Sequence, residues 1–145
     1  MTNDIFAALE MRFNSFPLLV TAGRKLYQGF DEDREAIINV RPYTEVNIEK
    51  DSTNLSTWDA DIDRWDLRFR YHAKDLRTIS ADAWLGLMRA AFKDAGSALN
   101  SHAFICCGTQ EAAMSSPRNK DSAYDASIRF LMTLQRRVRS PMVGV

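Results

Sequence analysis

Few residues in this chain have side chains suited to chemistry. His72, His102, Cys106 and Cys107 are its only imidazoles and thiols. Zinc asks for ligands in local pairs such as CxxC or HxxxH. His102 and Cys106 are four apart, but on a strand that separation spans about 13 Å, too far for one tetrahedral ion. A Cys–His nucleophilic pair is formally open between either cysteine and either histidine. Nothing local would lower a thiol pKa, however. The expectation is a strand cysteine in a core and two surface histidines. "DADID" (Asp59, Asp61, Asp63) has the opening spacing of a calcium loop. The glycine required at the sixth place is Arg64 and the glutamate required at the twelfth is Arg70, so the segment reads as an acidic entrance to a strand. The six glycines are unclustered, and no phosphate-binding loop, GxSxG or HExxH is present. The expected catalytic residues, metal ligands and cofactors are therefore none, and the chain does not read as an enzyme.

What the sequence does carry is charge on one side of a strand. In "RWDLRFRYHAK", Trp65, Leu67, Phe69 and Tyr71 recur two apart, with Asp66, Arg68, Arg70 and His72 between them. Such a strand, roughly 62–73, has one apolar and one charged face. Further along, Arg118 and Lys120 stand in a polar loop, and Arg136 and Arg137 close the last strand. These six cations, Arg68, Arg70, Arg118, Lys120, Arg136 and Arg137, are the candidate interface residues. The exposed aromatics that a single-strand nucleic-acid binder interleaves with its cations are missing, because the rings sit on the core face. Solvated or subunit-facing charge is the better reading.

The elements that must position these residues follow from periodicity. Residues 3–14 predict a helix, capped by Asn3 or Asp4, with Ile5, Ala8, Leu9 and Phe13 on one stripe; Pro17 follows where it should have ended. Residues 24–28 form a short strand candidate, followed by the acidic loop "FDEDREAIINV". Tyr43–Asp51 alternates, with Val46 and Ile48 to one side and Glu45, Asn47, Glu49 and Asp51 to the other. This strand and the next predict an antiparallel hairpin. Core residues are even-numbered in the first and odd-numbered in the second, so paired numbers must sum to an odd value. Glu45 and Glu49 then share a face with Arg68 and Arg70, and a cross-strand ion-pair lattice is one use for it. "SADAWLGLMRAAFKDAG" predicts the best helix, capped by Ser80, ended by Gly96, with Trp84, Leu87, Met88, Ala91 and Phe92 on its stripe. Ala103–Ala113 and Ala126–Val138 predict two more strands. In the last, Ala126, Ile128, Phe130, Met132 and Leu134 face inward, while Ser127, Arg129, Thr133 and Gln135 face out. The polar loop "MSSPRNKDS" joins them, and residues 139–145 predict a mobile tail. The order implies an α+β fold: a mostly antiparallel sheet of about four to five strands, with an N-terminal helix and one central amphipathic helix packed on it.

The chain has 145 residues, one domain's worth, and a formal net charge of zero. Residues 1–66 hold 13 acidic and 7 basic side chains, and residues 67–145 hold 6 acidic and 12 basic. Either acidic and basic strands neutralise one another within a subunit, or the protomer has two complementary faces suited to head-to-tail contacts. No stretch approaches the ~20 apolar residues of a membrane span, and the N-terminus lacks a secretory leader. Cys106 and Cys107 are adjacent, so on a strand they point to opposite faces; a mutual disulfide is not expected, and a reducing cytoplasm is.

Taken together, the N-terminal helix, "GRKLYQGF", "RPYTEVNIEKD", "RWDLRFRYHAK" running into "SADAWLGLMRAAF", and a terminal hairpin ending "SIRFLMTLQRR" resemble the tail terminator, or tail-completion, proteins of long-tailed bacteriophages. The resemblance covers residues 3–138 and lies in element order, size and texture. It implies a virion structural protein forming a hexameric ring at the head-proximal end of the tail tube. The implied partners are further copies of the chain, the tail tube protein and a head–tail connector or stopper protein. DNA would only pass through the channel, and no membrane is involved. The loops "DSTNLSTWDADID" and "AMSSPRNKDSAY" would touch tube or connector. The rival readings are a connector or stopper of the phage neck, a monomeric α+β ligand-binding domain and a nucleic-acid-binding accessory protein.

Overall fold

A computed structural model describes residues 1–29, 42–54, 61–73, 78–115 and 124–137. Helices α1 (Thr2–Asn14) and α2 (Pro17–Gly23) lead into β1 (Leu26–Gln28), followed by β2 (Tyr43–Asn54) and β3 (Ile62–His72). Helix α3 (Thr78–Phe92), a 3-10 turn (Gly96–Leu99), β4 (Phe104–Ser115) and β5 (Ala126–Arg136) follow among the described residues. The five strands form one sheet in the order β1-β2-β3-β5-β4, antiparallel except for the β1–β2 pair. The fold is the expected α+β one, with the last strand inserted between β3 and β4.

The parity argument holds. Val46 pairs with Phe69, Glu45 with Arg70 and Ile48 with Leu67, each pair of numbers totalling 115. Odd residues of β3 and even residues of β5 therefore share the face that α1 and α3 cover. Trp65, Phe69, Trp84, Met88, Phe130 and Met132 lie in one buried cluster with Ile5, Leu9 and Phe13. Phe69 stacks on Phe92 at 5.0 Å and meets Phe130 edge-on at 6.0 Å. Each such ring pair adds to the apolar burial that drives the layers together.

Several boundaries differ from expectation, and the ends of α2 and α3 do so because of partners distant in sequence. Pro17 does not merely follow the first helix but opens α2 at its first position, where its missing N–H costs nothing. The carbonyls that end α2 are taken by the sheet: Tyr71 Oη donates to Ala22 O at 3.1 Å and Thr44 Oγ1 to Gly23 O at 3.4 Å. Neither Asn3 nor Asp4 caps α1, which begins at Thr2. Ser80 likewise lies inside α3 rather than at its cap. Gly96 does not end α3. The helix stops at Phe92, and Asp94 takes the left-handed conformation at φ 54°. Thr109 of β4, buried, caps that end. Its hydroxyl donates to Phe92 O and accepts from Ala95 N, and its carbonyl accepts from Asp94 N at 2.9 Å. Among the described residues no helix is long and apolar enough to cross a membrane.

Candidate functional site

The face of the sheet opposite the helices carries the charge. Arg68 and Arg70 of β3, and Ser127 and Arg129 of β5, project to it by parity. Beside them Ala113, Met114 and Ser115 of β4 and Tyr124 enclose a cleft of about 270 Å³. Register makes this cluster unavoidable. Arg68 and Arg129 are direct partners across β3 and β5. One carboxylate serves both. Asp66 accepts Arg129 Nε at 2.8 Å on one oxygen, and Arg68 Nε and Nη2 at 3.3 Å on the other. The bond to Asp66 and its charge hold the Arg129 guanidinium above its ordinary pKa. Asp66 itself is buried, while the Arg68 and Arg129 side chains are 51% and 41% exposed. Arg70 lays its guanidinium over the Tyr124 ring, 4.7 Å from the centroid, and Ser115 and Ser127 share a hydroxyl hydrogen bond of 2.7 Å.

The six cations picked out in the sequence thus separate. Arg68 and Arg70 come together, joined by Arg129, which the sequence pattern placed facing outward without singling out. Arg136 and Arg137 lie toward the other end of β5, roughly 23 Å along the strand from Arg129 by the strand rise. There Arg136 binds Asp63 at 2.6 Å and approaches Asp61 at 3.8 Å, while Arg137 donates to Ser101 O at 2.8 Å. Arg118 and Lys120 lie outside the described residues, as do the tail 139–145 and residues 55–60 and 116–123 of the two long loops. The signal that would have found Arg129 is register: once β5 lies beside β3, residues totalling 197 face each other.

Asp61 and Asp63, read as an acidic strand entrance, serve that purpose. Lys50 stands 3.4 Å from Asp63 opposite Arg136. Asp66–Arg129 and Asp63–Arg136 join the acidic first part of the chain to the basic second part within one subunit.

The histidines part from expectation. His72 is not a surface residue but fully buried, as is Glu45, and its Nε2 meets a Glu45 carboxylate oxygen at 2.5 Å. Tyr43, the register partner of His72, stacks on its ring at 4.3 Å. The pair is sealed from solvent, so no substrate reaches it in this conformation, and its evident work is to lock β2 to β3. His102 is exposed but stands in a bend ahead of β4 rather than on it, 3.6 Å from Asp4. Cys106 faces the core, and Cys107, the residue of a β-bulge, faces solvent; both are free thiols. Burial pushes the Cys106 thiol up to about 11, so it is protonated and inert near neutral pH. Among the described residues, no three of His, Cys, Asp and Glu gather closely enough to hold a metal ion.

Compared with models of known families and with curated proteins, the chain matches none.

Proposed function

We propose that this chain is a non-catalytic structural subunit that acts by assembling with copies of itself into a closed ring, of the tail-terminator kind. One observation carries the reading, the edge strand β4. Sheet edges are ordinarily defended by charged side chains, proline, bulges or shortness, and of these β4 has only bulges and a single charge. Strand β4 lies at the sheet's end and runs twelve residues, "FICCGTQEAAMS", with Glu111 its one charged residue and no proline. Ile105 and Met114 on it are 39% and 48% exposed. The opposite edge, β1, is only three residues long.

Bulges between Cys106 and Gly108 and between Glu111 and Ala113 bend β4. The bulges interrupt the ladder, so a neighbour could pair only along the stretches they separate, and open-ended stacking is opposed. A ring of such subunits has two different faces. One can match the end of a tail tube while the other presents a new surface, and further tube growth then stops. The layout resembling tail terminator proteins supports that assignment. The absence of a sequence motif for catalysis agrees with it.

The test has two levels. Mass measurement of the purified protein should give a single closed oligomer, and Ile105→Lys or Gln110→Pro should convert it to monomer without unfolding it. Removing the gene should give overlong tails or tails that cannot join heads, seen by electron microscopy. A strictly monomeric protein, or normal tails joined to full heads without it, would sink the reading.

A further inference from the structure

We infer that the contact through β4 is hydrogen-bonded at its far end alone, at Glu111 and Met114, and that its occupant is an extended stretch of a second copy of the chain. This rests on the ring reading and narrows it.

The edge is not open along its whole length. Three of its residues are bonded from beyond the edge by the chain's own segment after α3. Ser101 N–H donates to Phe104 O at 3.0 Å, Cys106 N–H to Asn100 Oδ1 at 2.7 Å, and Asp94 N–H to Thr109 O at 2.9 Å. The β5 partners of Phe104, Cys106 and Thr109 are Arg136, Leu134 and Met132. In an antiparallel ladder every second pair turns its backbone groups away from the shared side. The next two such pairs are Glu111 with Phe130 and Met114 with Ile128. Among the described residues, nothing bonds the backbone of Glu111 or Met114 from beyond the edge.

This end has room for an added strand. Ala112, Ala113, Met114 and Ser115 are exposed, and a cleft of about 310 Å³ lies against the stretch, lined by Lys93, Asp94 and residues 110–113. Its one charge is not free to guard it. Arg89 takes both Glu111 carboxylate oxygens at 2.8 Å and donates to Met114 Sδ at 3.0 Å. One side chain thus holds both residues whose backbone is open, across the bulge between Glu111 and Ala113.

The shortness of the open end identifies the occupant. Glu111 and Met114 offer one N–H and one C=O each, too little to offset the freedom that a separate peptide loses on binding. A subunit in a closed ring is held on both sides at once, so a short contact suffices there. Two copies facing each other through this same stretch would close at a dimer, so the neighbour supplies a different part of its surface. Ile105, at the covered end, meets that neighbour through its side chain only.

Hydrogen exchange of the full chain, resolved to single amides by fragmentation mass spectrometry, tests the contact. Glu111 and Met114 N–H should exchange about tenfold more slowly, or slower still, in the oligomer than in protein diluted until monomeric. Cys106 N–H, bound within the subunit, should be equally slow in both. Met114→Pro, which removes an N–H that the β5 ladder does not use, should leave a folded monomer. Met114→Ala, which removes the Arg89 contact but keeps the N–H, should stay oligomeric. A closed ring in which the two amides exchange as fast as in the monomer, or in which Met114→Pro assembles like the parent, would overturn this contact and leave the ring reading standing. Met114→Ala as monomeric as Met114→Pro would assign the contact to the side chain and overturn it equally. A stable dimer, or a protein monomeric at every concentration, would overturn both.

Discussion

Arg68 and Arg129 stand directly opposite each other on β3 and β5, and buried Asp66 holds a bond to each. The two bonds are unequal: 3.3 Å to Arg68 against 2.8 Å to Arg129. The two arginines should therefore respond differently to removal. Arg68→Thr relieves a like-charge pair and leaves Asp66 neutralised by Arg129. Its stability should stay within about 0.5 kcal/mol of the parent, on the gaining side at low salt. Arg129→Thr strips the shorter bond from a buried carboxylate and should cost about 1–3 kcal/mol. Urea unfolding of the two variants at low and high salt checks the contrast; equal losses would mean that the arginines play equivalent structural parts.

Phe130 lies at the centre of the sheet, fully buried, with Phe69 edge-on and Phe92 at 6.2 Å. Phe130→Ala should cost on the order of 3–5 kcal/mol, because the aromatic contacts are lost and a cavity remains among neighbours that cannot all close in. A loss below about 1 kcal/mol in denaturant unfolding, the range of a surface site, would be incompatible with this core.

That core was legible because alternation of period two and a helical stripe are properties of local sequence. The register of β2 against β3 followed from parity alone, since a slip of one residue would have turned Val46 and Phe69 outward. What local sequence could not reveal were bonds closed across the fold. Thr109, seventeen positions from Phe92, stops α3 before Gly96. Tyr71 and Thr44 close α2, a helix whose opening proline also suits the end of the helix before it. His72 looked exposed because its strand neighbours Arg70 and Arg68 are charged. It is buried because Tyr43 and Glu45 meet it from β2. The arginine cleft was half visible: two of its cations stood out on one strand, and the third required knowing which strand lies beside it.

Gly23 ends α2 where the helix meets the sheet. A Cβ there would sit 2.6 Å from Thr44 Oγ1 and 3.0 Å from Phe13 Cζ. Alanine would gain up to about 1 kcal/mol of helix propensity. Thr44 is fully buried, however, and its hydroxyl also accepts Trp84 Nε1 at 3.1 Å, so it cannot swing aside without breaking that bond. Overpacking of this kind costs about 1–3 kcal/mol. Gly23→Ala should therefore lower the thermal midpoint, and Thr44→Ser should not rescue it because the clashing oxygen remains. A raised midpoint would mean that the α2–β2 contact is looser than described.

The adjacent cysteines should behave as two different reagents. Cys107 is exposed at its bulge, whereas Cys106 is 5% exposed, has its backbone N–H bound to Asn100 Oδ1, and carries a thiol pushed up to about 11. Near neutral pH, a thiol reagent should modify one cysteine promptly in the folded protein and the second only on unfolding. Cys107→Ser should abolish the fast phase. Two fast phases would place Cys106 at the surface.

Helix α3 is fastened to the edge strand by one fork. Arg89 Nε and Nη2 each donate to a Glu111 carboxylate oxygen at 2.8 Å, the bidentate geometry in which guanidinium and carboxylate match best. The hydrogen bond to Arg89, and the charge behind it, hold Glu111 below the ordinary glutamate value of 4.5. A carboxyl whose pKa is lower folded than unfolded stabilises the fold while it is ionised in both states. That contribution is complete above the unfolded value, shrinks as pH falls below it, and is gone once pH has passed the lower folded value. Because both groups reach solvent, it should also decline with salt. Thermal midpoints of the parent chain and Glu111→Gln, measured across the acid range, should differ at neutral pH and converge toward strong acid. A gap that stayed constant with pH, or widened in acid, would show that the glutamine acts on β4 by some route other than the lost charge.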